Sequence, residues 1–153
     1  MNILICNVGS TSLKYQLFRR PEELVIASGG AERVGMPSGR FYAKTHENGA
    51  LVDETAVFPT HREAIVRMLR QLQEAVLPAL SQLDCVGFKV VLAKGVSGVQ
   101  YLTDDILAKM EAFSSIAPAH NPPYLAAIRQ FRALLPNTPL IGAFETAFHR
   151  TMP

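Results

Sequence analysis

Polar residues that could hold a phosphate group are concentrated near the start of the chain, in the run Asn7-Val8-Gly9-Ser10-Thr11-Ser12 and at Lys14. Glycine allows a tight bend, and successive N–H groups together with hydroxyls in one bend form a concavity suited to an anion. Asn, Gly and Ser are also ordinary turn residues, so the same run is typical of a β-hairpin with a polar turn. The residue types alone leave both interpretations open.

The segments around this bend predict strands. The apolar run Ile3-Leu4-Ile5-Cys6 precedes it, and residues 13–18 alternate between apolar and polar side chains after it. Residues 23–34 have the composition of a further strand, in which the pair Gly29-Gly30 predicts a bulge. The first third of the chain is therefore expected to be mostly β-structure.

The rest of the chain alternates helices with strands. Thr60-His61-Arg62-Glu63 has the form of a capping box, so a helix should begin there. The nearly all-apolar run 85–93 predicts a central strand covered on both faces, followed by a flexible loop at 94–98. The other expected elements are strands at 41–46 and 50–58 joined through Asn48-Gly49, helices beginning at Thr103 and Asn121, and a strand at 139–144. This order predicts an α/β fold, a mixed β-sheet with helices covering it.

Composition narrows the class of protein. The chain has 153 residues, of which 48% are hydrophobic, enough for one domain with a real core over residues 1–153. No apolar run reaches the ~18 residues of a membrane span and no signal peptide is indicated, so we expect a cytoplasmic protein without a membrane partner. A net charge of +2 with scattered Lys and Arg argues against a nucleic-acid partner. Cys6 and Cys85 lie in apolar runs and are expected to be buried thiols.

Three motifs, in order along the chain, resemble the acetate kinase family with its propionate and butyrate kinase relatives. The bend matches the family's opening motif in Asn7-x-Gly9-Ser10-x-Ser12-Leu13-Lys14. The segment Ala117-Pro118-Ala119-His120-Asn121-Pro122 resembles A-P-L-H-N-P, and Phe144-Glu145-Thr146-Ala147-Phe148-His149 resembles F-D-T-A-F-H. The resemblance covers all 153 residues and implies the N-terminal half of a kinase with the actin-like (ribonuclease H-like) fold.

The resemblance implies a reaction and roles for individual residues. The family transfers phosphoryl between ATP and a short-chain carboxylate, so Mg²⁺ and ATP are the expected cofactors, and acetate, another short-chain carboxylate or an acyl phosphate is the expected substrate. The implied phosphate-binding residues are Asn7, Gly9, Ser10, Ser12 and Lys14. The implied catalytic residues are Lys89, His120 and Glu145, the metal ligands are Asn7 and Glu145, and the substrate pocket is walled by Val91 and Ile116.

The chain departs from the family pattern around the expected pocket. Where the family has His-Arg-Val-Val-His-Gly-Gly, this chain has Phe88-Lys89-Val90-Val91-Leu92-Ala93-Lys94-Gly95, so the substrate-clamping arginine becomes Lys89 and both histidines become apolar. Lysine cannot make the two-pronged contact that arginine makes to a carboxylate or phosphate. The family's catalytic aspartate becomes Glu145, and a displacement of about 1 Å can lower a rate on the order of a hundredfold.

The resemblance also implies a missing partner. In the family a second domain, which binds the adenine nucleotide, follows the position of Pro153. We therefore expect a phosphotransferase half that is inactive alone, with a C-terminal half or a second copy of the chain covering the exposed cleft face. The alternative that stays open is a non-catalytic remnant of a shortened gene that binds an anion or a protein.

Overall fold

A single mixed sheet of eight strands with three α-helices makes up the part of the chain that the computed structural model describes, residues 1–90, 93, 95–116, 118 and 121–144. The strands are β1 (Asn2–Val8), β2 (Ser12–Arg19), β3 (Leu24–Glu32), β4 (Gly39–Thr45), β5 (Gly49–Ala56), β6 (Cys85–Val90), β7 (Gly98–Tyr101) and β8 (Leu140–Phe144). The helices are α1 (His61–Ala75), α2 (Asp104–Ala112) and α3 (Asn121–Leu134), with a short 3₁₀ turn at Leu80–Gln82. The predicted mixed α/β fold is confirmed.

Strand β1 joins two kinds of pairing. The order across the sheet is β5-β4-β3-β2-β1-β6-β8-β7. Strand β1 pairs antiparallel with β2, the other arm of its hairpin, and parallel with β6, which in turn pairs parallel with β8. The carboxyl ends of β1, β6 and β8 therefore lie along one edge of the sheet, beside the bend between β1 and β2.

The two faces of the sheet differ in their cover. Alternate residues of β1, namely Leu4, Cys6 and Val8, are buried in one core with side chains from all three helices. Across that core, Phe88 of β6 meets Phe131 of α3 edge-to-face, with ring centroids 5.2 Å apart. The opposite side, here called the uncovered face, has no helix over it in the described part of the chain. Its side chains include Ile5, Asn7, Lys14, Gln16, Ser28, Tyr42, Lys44 and Lys89.

Several local predictions are confirmed by hydrogen bonds. The Thr60 hydroxyl accepts the Arg62 N–H at 3.3 Å, and the Thr60 N–H donates to the Glu63 carboxylate at 2.8 Å, which completes the capping box of α1. The side chain of Thr103 accepts the Ile106 N–H at the start of α2. Gly49, after Asn48, has φ +66° and begins β5, as the hairpin signal predicts.

Two local predictions are wrong, and one strand was not predicted. The register shift lies opposite Leu17 and Phe18 of β2, where Ile26 is the extra residue of β3, whereas Gly29 and Gly30 are regularly paired. These glycines leave room for neighbours, because a Cβ at Gly29 would lie 2.2 Å from the Tyr42 carbonyl oxygen. Strand β7 was not predicted, since its apolar side chains are exposed and give no buried face.

The second wrong prediction concerns β6. Its sequence predicted a strand covered on both faces, but Lys89 is exposed and lies on the uncovered face. Within the described residues, no helix is long and apolar enough to cross a membrane. Cys6 is a buried free thiol and Cys85 a half-buried one, and burial raises the pKa of both.

The capping box gives a pH-dependent prediction. Hydrogen bonds from Thr60 to Glu63 lower the pKa of that carboxyl below its ordinary value, so its stabilising effect exists above the unfolded-state pKa and is lost as pH falls through the folded-state pKa. We expect Glu63→Ala to lower the free energy of unfolding at pH 7 by about 0.3–1 kcal/mol, the range for a carboxylate at a helix N-terminus. The difference from wild type should shrink toward pH 3, measured by urea unfolding.

Glu74→Ala is the matched control, because Glu74 is an exposed acid in the last turn of the same helix. A carboxylate near the negative end of the helix dipole is unfavourable, so its removal should be neutral or stabilising. Equal destabilisation by the two substitutions would contradict the role assigned to Glu63.

Candidate functional site

The bend between β1 and β2 is a short loop held by the backbone. We call residues 9–12 the hydroxyl loop. The Gly9 N–H donates to the Ser12 carbonyl at 3.0 Å, which closes the turn. The Thr11 carbonyl accepts the Val34 N–H at 2.8 Å, which ties the loop to the segment after β3. Two of the loop carbonyls are thereby occupied by backbone donors.

A histidine holds the other side of the loop. The Nε2 atom of His61, at the start of α1, lies 2.8 Å from the Gly9 carbonyl oxygen and 3.3 Å from that of Ser12. Both neighbours are acceptors, so Nε2 carries the proton and donates. Sequence reasoning recognised Thr60-His61-Arg62-Glu63 only as a helix start, because a contact over 52 residues leaves no local signal.

The donors of the loop, in contrast, have no acceptors. In the described part of the chain, the N–H groups of Ser10 and Thr11 and the hydroxyls of Ser10, Thr11 and Ser12 make no hydrogen bond. Ser10 and Thr11 are also exposed. Three of the four loop carbonyls, those of Gly9, Thr11 and Ser12, accept hydrogen bonds while these donors are available, so the loop presents mainly positive dipoles outward, which favours an anion.

Two lysines flank Asn7 on the uncovered face beside the loop. Asn7 is opposite Lys14 in the β1–β2 register, and Lys89 follows Phe88, which is opposite Cys6 in the β1–β6 register. Because neighbouring strands are about 4.8 Å apart, the Cα atoms of Lys14 and Lys89 lie about 10 Å from each other with Asn7 between them. The structure therefore brings together Asn7, Lys14 and Lys89 with the loop, as a row at one edge of the sheet.

A shallow cavity of about 360 Å³ extends from this row over the uncovered face. Asn7 and Lys14 line it together with Tyr42 and Lys44, which sequence reasoning did not select. Neither Lys14 nor Lys44 forms an ion pair with any residue that the structure describes, whereas the charge of nearby Arg40 is held by Asp53 and Glu32. Burial raises the pKa of Tyr42, a hydroxyl that is neutral near pH 7 in any case. The alternating pattern of β4 was the available signal for these residues.

Some of the remaining predicted site residues lie in the part of the chain that the structure describes, and the others lie outside it. His120, Val91 and Glu145 lie outside the described residues. Glu145 directly follows Phe144, which is opposite Val90 at the end of β6, two strands from β1. Ile116 is described and is 64% exposed after α2. Phe88 replaces a family histidine near the expected pocket. Its ring is buried against Phe131 on the helix side of the sheet.

A metal at this site would need oxygen ligands near the row. Among the described residues, no group of three or more His, Cys, Asp or Glu side chains is placed to hold a metal ion. The Asn7 amide is exposed at the row and offers an oxygen of the type that Mg²⁺ accepts alongside water and phosphate.

Taken together, these features define an α/β domain whose mixed sheet presents a donor-rich hairpin loop and a row of lysines at the carboxyl ends of its parallel strands. Comparison with known proteins gives the family. The family model described as the acetokinase family matches residues 2–153. The chain is 39% identical to the acetate kinase of Agathobacter rectalis and 37% identical to that of Bacillus subtilis, covering 100% and 99% of this chain. The chain therefore belongs to the acetokinase family.

Solved structures agree with this assignment. The fold matches an acetate kinase from Porphyromonas gingivalis with a TM-score of 0.90 and 31% identity, over 99% of this chain. It matches a propionate kinase from Francisella tularensis with a TM-score of 0.88 and 27% identity. The chain spans 38% to 39% of the length of these relatives and corresponds to their N-terminal domain.

The geometry of the loop gives a prediction at Gly9. A Cβ there would lie 2.6 Å from the Ser12 Oγ, so alanine would displace that hydroxyl, at a cost in stability of about 1 kcal/mol or less. If the hydroxyl contacts phosphate, Gly9→Ala should weaken phosphate affinity roughly fivefold, the equivalent of one hydrogen bond. The measurement is titration of amide chemical shifts in the ¹⁵N-labelled chain with inorganic phosphate.

Gly49→Ala is the control, since Gly49 has φ +66° and a Cβ added there would meet no atom within 4 Å. It should cost stability through backbone strain and leave phosphate affinity unchanged. Equal affinities for wild type and Gly9→Ala would remove Ser12 from the phosphate site.

Proposed function

We propose that this chain is the phosphate-binding half of a short-chain carboxylate kinase, which transfers phosphoryl between ATP and acetate or a similar acid when a nucleotide-binding domain completes its cleft. The observation that carries the proposal is the hydroxyl loop, in which three of four carbonyls accept hydrogen bonds while the N–H groups of Ser10 and Thr11 and the hydroxyl donors are available in the described part of the chain. Family membership supports it, because the relatives are acetate and propionate kinases.

The chemistry of phosphoryl transfer matches what the row supplies. The transferred group carries negative charge spread over its oxygens, and catalysis depends on positioning and charge neutralisation rather than on covalent participation of the protein. The loop would hold the phosphate oxygens through N–H and hydroxyl donors. Lys14 would neutralise charge from the β2 side and Lys89 from the β6 side, since the register places them on either side of Asn7.

The proposed metal and substrate sites use the residues that the family resemblance implies. Asn7 and Glu145 would be the protein ligands of Mg²⁺, a cation that keeps several waters and is usually bound by one or two protein oxygens plus phosphates. When bound, Mg²⁺ would neutralise charge on the phosphate oxygens. Val91 and Ile116 remain the proposed wall of the carboxylate pocket, and His120 remains a proposed hydrogen-bond donor to the transferred group.

Lysine in place of arginine at position 89 would affect anion binding and catalytic turnover differently. It supplies a single charge where the family pattern has an arginine, so it keeps the attraction to an anion but not the two-pronged orientation of a carboxylate. Together with Glu145 in place of aspartate, this favours a second candidate function, a non-catalytic domain that binds an anion or a protein partner. Phe88 does not contribute to this argument, because its ring is in the core.

Complementation tests the enzyme proposal. The chain would be mixed with a polypeptide comprising the C-terminal remainder of the Bacillus subtilis acetate kinase, and acyl phosphate formed from ATP and acetate would be trapped with hydroxylamine. We expect ATP-dependent acyl hydroxamate from the pair and none from the chain alone. Lys14→Ala should lower the rate of the pair by about tenfold to a hundredfold, the range for a hydrogen bond to a charged group.

Lys109→Ala is the matched control, because Lys109 is a surface lysine on α2 paired with Asp105 at 3.1 Å. It should leave the rate unchanged. A folded pair that forms no acyl phosphate, including with Lys89→Arg and Glu145→Asp, while the chain still binds phosphate, would establish the binding function instead. A chain that binds no phosphate would contradict both.

A further inference from the structure

We propose that His61 is a positioning residue that aims the donors of the hydroxyl loop at the phosphate, an inference that rests on the proposed function. His61 is outside the motifs that identify the family in this chain, and it contacts the loop from the helix side of the sheet. Its Nε2 donates to the Gly9 carbonyl at 2.8 Å and more weakly to the Ser12 carbonyl at 3.3 Å.

The planarity of the peptide unit links this contact to the phosphate site. The Gly9 carbonyl and the Ser10 N–H belong to one planar trans peptide and point in opposite directions. A donor that holds the carbonyl toward α1 therefore directs the Ser10 N–H away from α1. The Val34 N–H acts in the same way on the Thr11 carbonyl, at 2.8 Å, and so directs the Ser12 N–H.

Without His61, little would fix the first of these peptides. Glycine tolerates rotation of its flanking peptides better than any other residue, so the peptide between Gly9 and Ser10 is the one in the loop most able to flip. A flip would replace a donor with a carbonyl oxygen, which repels phosphate. The Gly9 N–H to Ser12 carbonyl bond closes the turn but belongs to the preceding peptide unit, so it does not prevent this flip.

The imidazole is itself held by the start of α1. His61 is the first residue of the helix, directly after Thr60, and the capping box with Glu63 fixes the direction of the chain there. The following residues Ala64 and Ile65 are completely buried, which anchors that first turn in the core. The orientation of the loop is thus determined by a helix that starts about 50 residues later in the sequence.

The test compares His61→Ala, His61→Gln and His46→Ala in the ¹⁵N-labelled chain. Glutamine can place a side-chain N–H near the position of Nε2, whereas alanine cannot. His46 is the matched control, an exposed histidine in the turn after β4. The readouts are the dissociation constant for inorganic phosphate, the amide shift and hydrogen-exchange rate of residues 9–12, and the free energy of unfolding.

We expect His61→Ala to weaken phosphate binding roughly fivefold to tenfold and to change the Ser10 amide shift, with His61→Gln restoring both to within about twofold of wild type. His46→Ala should match wild type. The rescue by glutamine separates positioning from a general loss of stability, which the unfolding measurement reports independently.

Two results would overturn the inference. One is a His61→Ala chain with wild-type loop shifts and phosphate affinity, and the other is a folded His61→Gln chain that behaves no better than the alanine variant. Failure of the proposed function looks different, since wild type would then show no phosphate-induced shifts at all, while the Ser10 shift and exchange rate in the free chain would still report whether His61 orients the loop.

Discussion

The pairing of β1 with β2 on one side and β6 on the other is the constraint on which the candidate site depends. The period of two along a strand places Leu4, Cys6 and Val8 in the core and Asn7 on the uncovered face. A slip of one residue would reverse both sets. Each large apolar side chain returned to water costs about 1.5–3 kcal/mol, whereas a hydrogen bond contributes about 1 kcal/mol net, so burial of the core decides the register. The arrangement of Asn7, Lys14 and Lys89 follows from packing on the other face.

The hydroxyl loop shows how neutral groups can favour an anion. Three of its four carbonyl oxygens accept hydrogen bonds from donors in three places, the loop itself, Val34 and His61. The N–H groups of Ser10 and Thr11 and the loop hydroxyls remain available, with Lys14 and Lys89 nearby. An anion gains from oriented dipoles that need no rearrangement, and this benefit depends on contacts made by groups that never touch the ligand.

Sequence reasoning predicted the elements well where a local rule determines them. The capping residues Thr60 and Thr103 and the Asn48-Gly49 turn act within a few residues, and the structure has helices and a hairpin where they predict them. Strand β7 was missed because its side chains are exposed on both sides and its pairing is with β8, a distant segment. Cover on β6 was overestimated, since an apolar sequence does not say which face a helix occupies.

The same limit applies to the site. The motif predicted that Asn7 and Lys14 belong together, and the β1–β2 register has them directly opposite each other. Proximity of Lys89 required the parallel pairing of β1 with β6, and the contact of His61 required the path of α1 over the core. Both are tertiary facts, with partners separated by about 50 residues or more, so local patterns carried no information about them.

Because the two faces of β6 have different surroundings, the departures from the family pattern on this strand differ in their consequences. Phe88 and Lys89 are neighbours in sequence, yet one packs against Phe131 and the other faces outward in the row. A change at the first position alters the core, while a change at the second would, under the proposed function, alter the geometry of anion recognition and keep its charge. Attraction between a lysine and a phosphate depends on charge and distance, and orientation of a carboxylate depends on a two-pronged donor. Under the proposed function, binding and turnover would therefore respond to different features of the same row, and the retention of one would not imply the other.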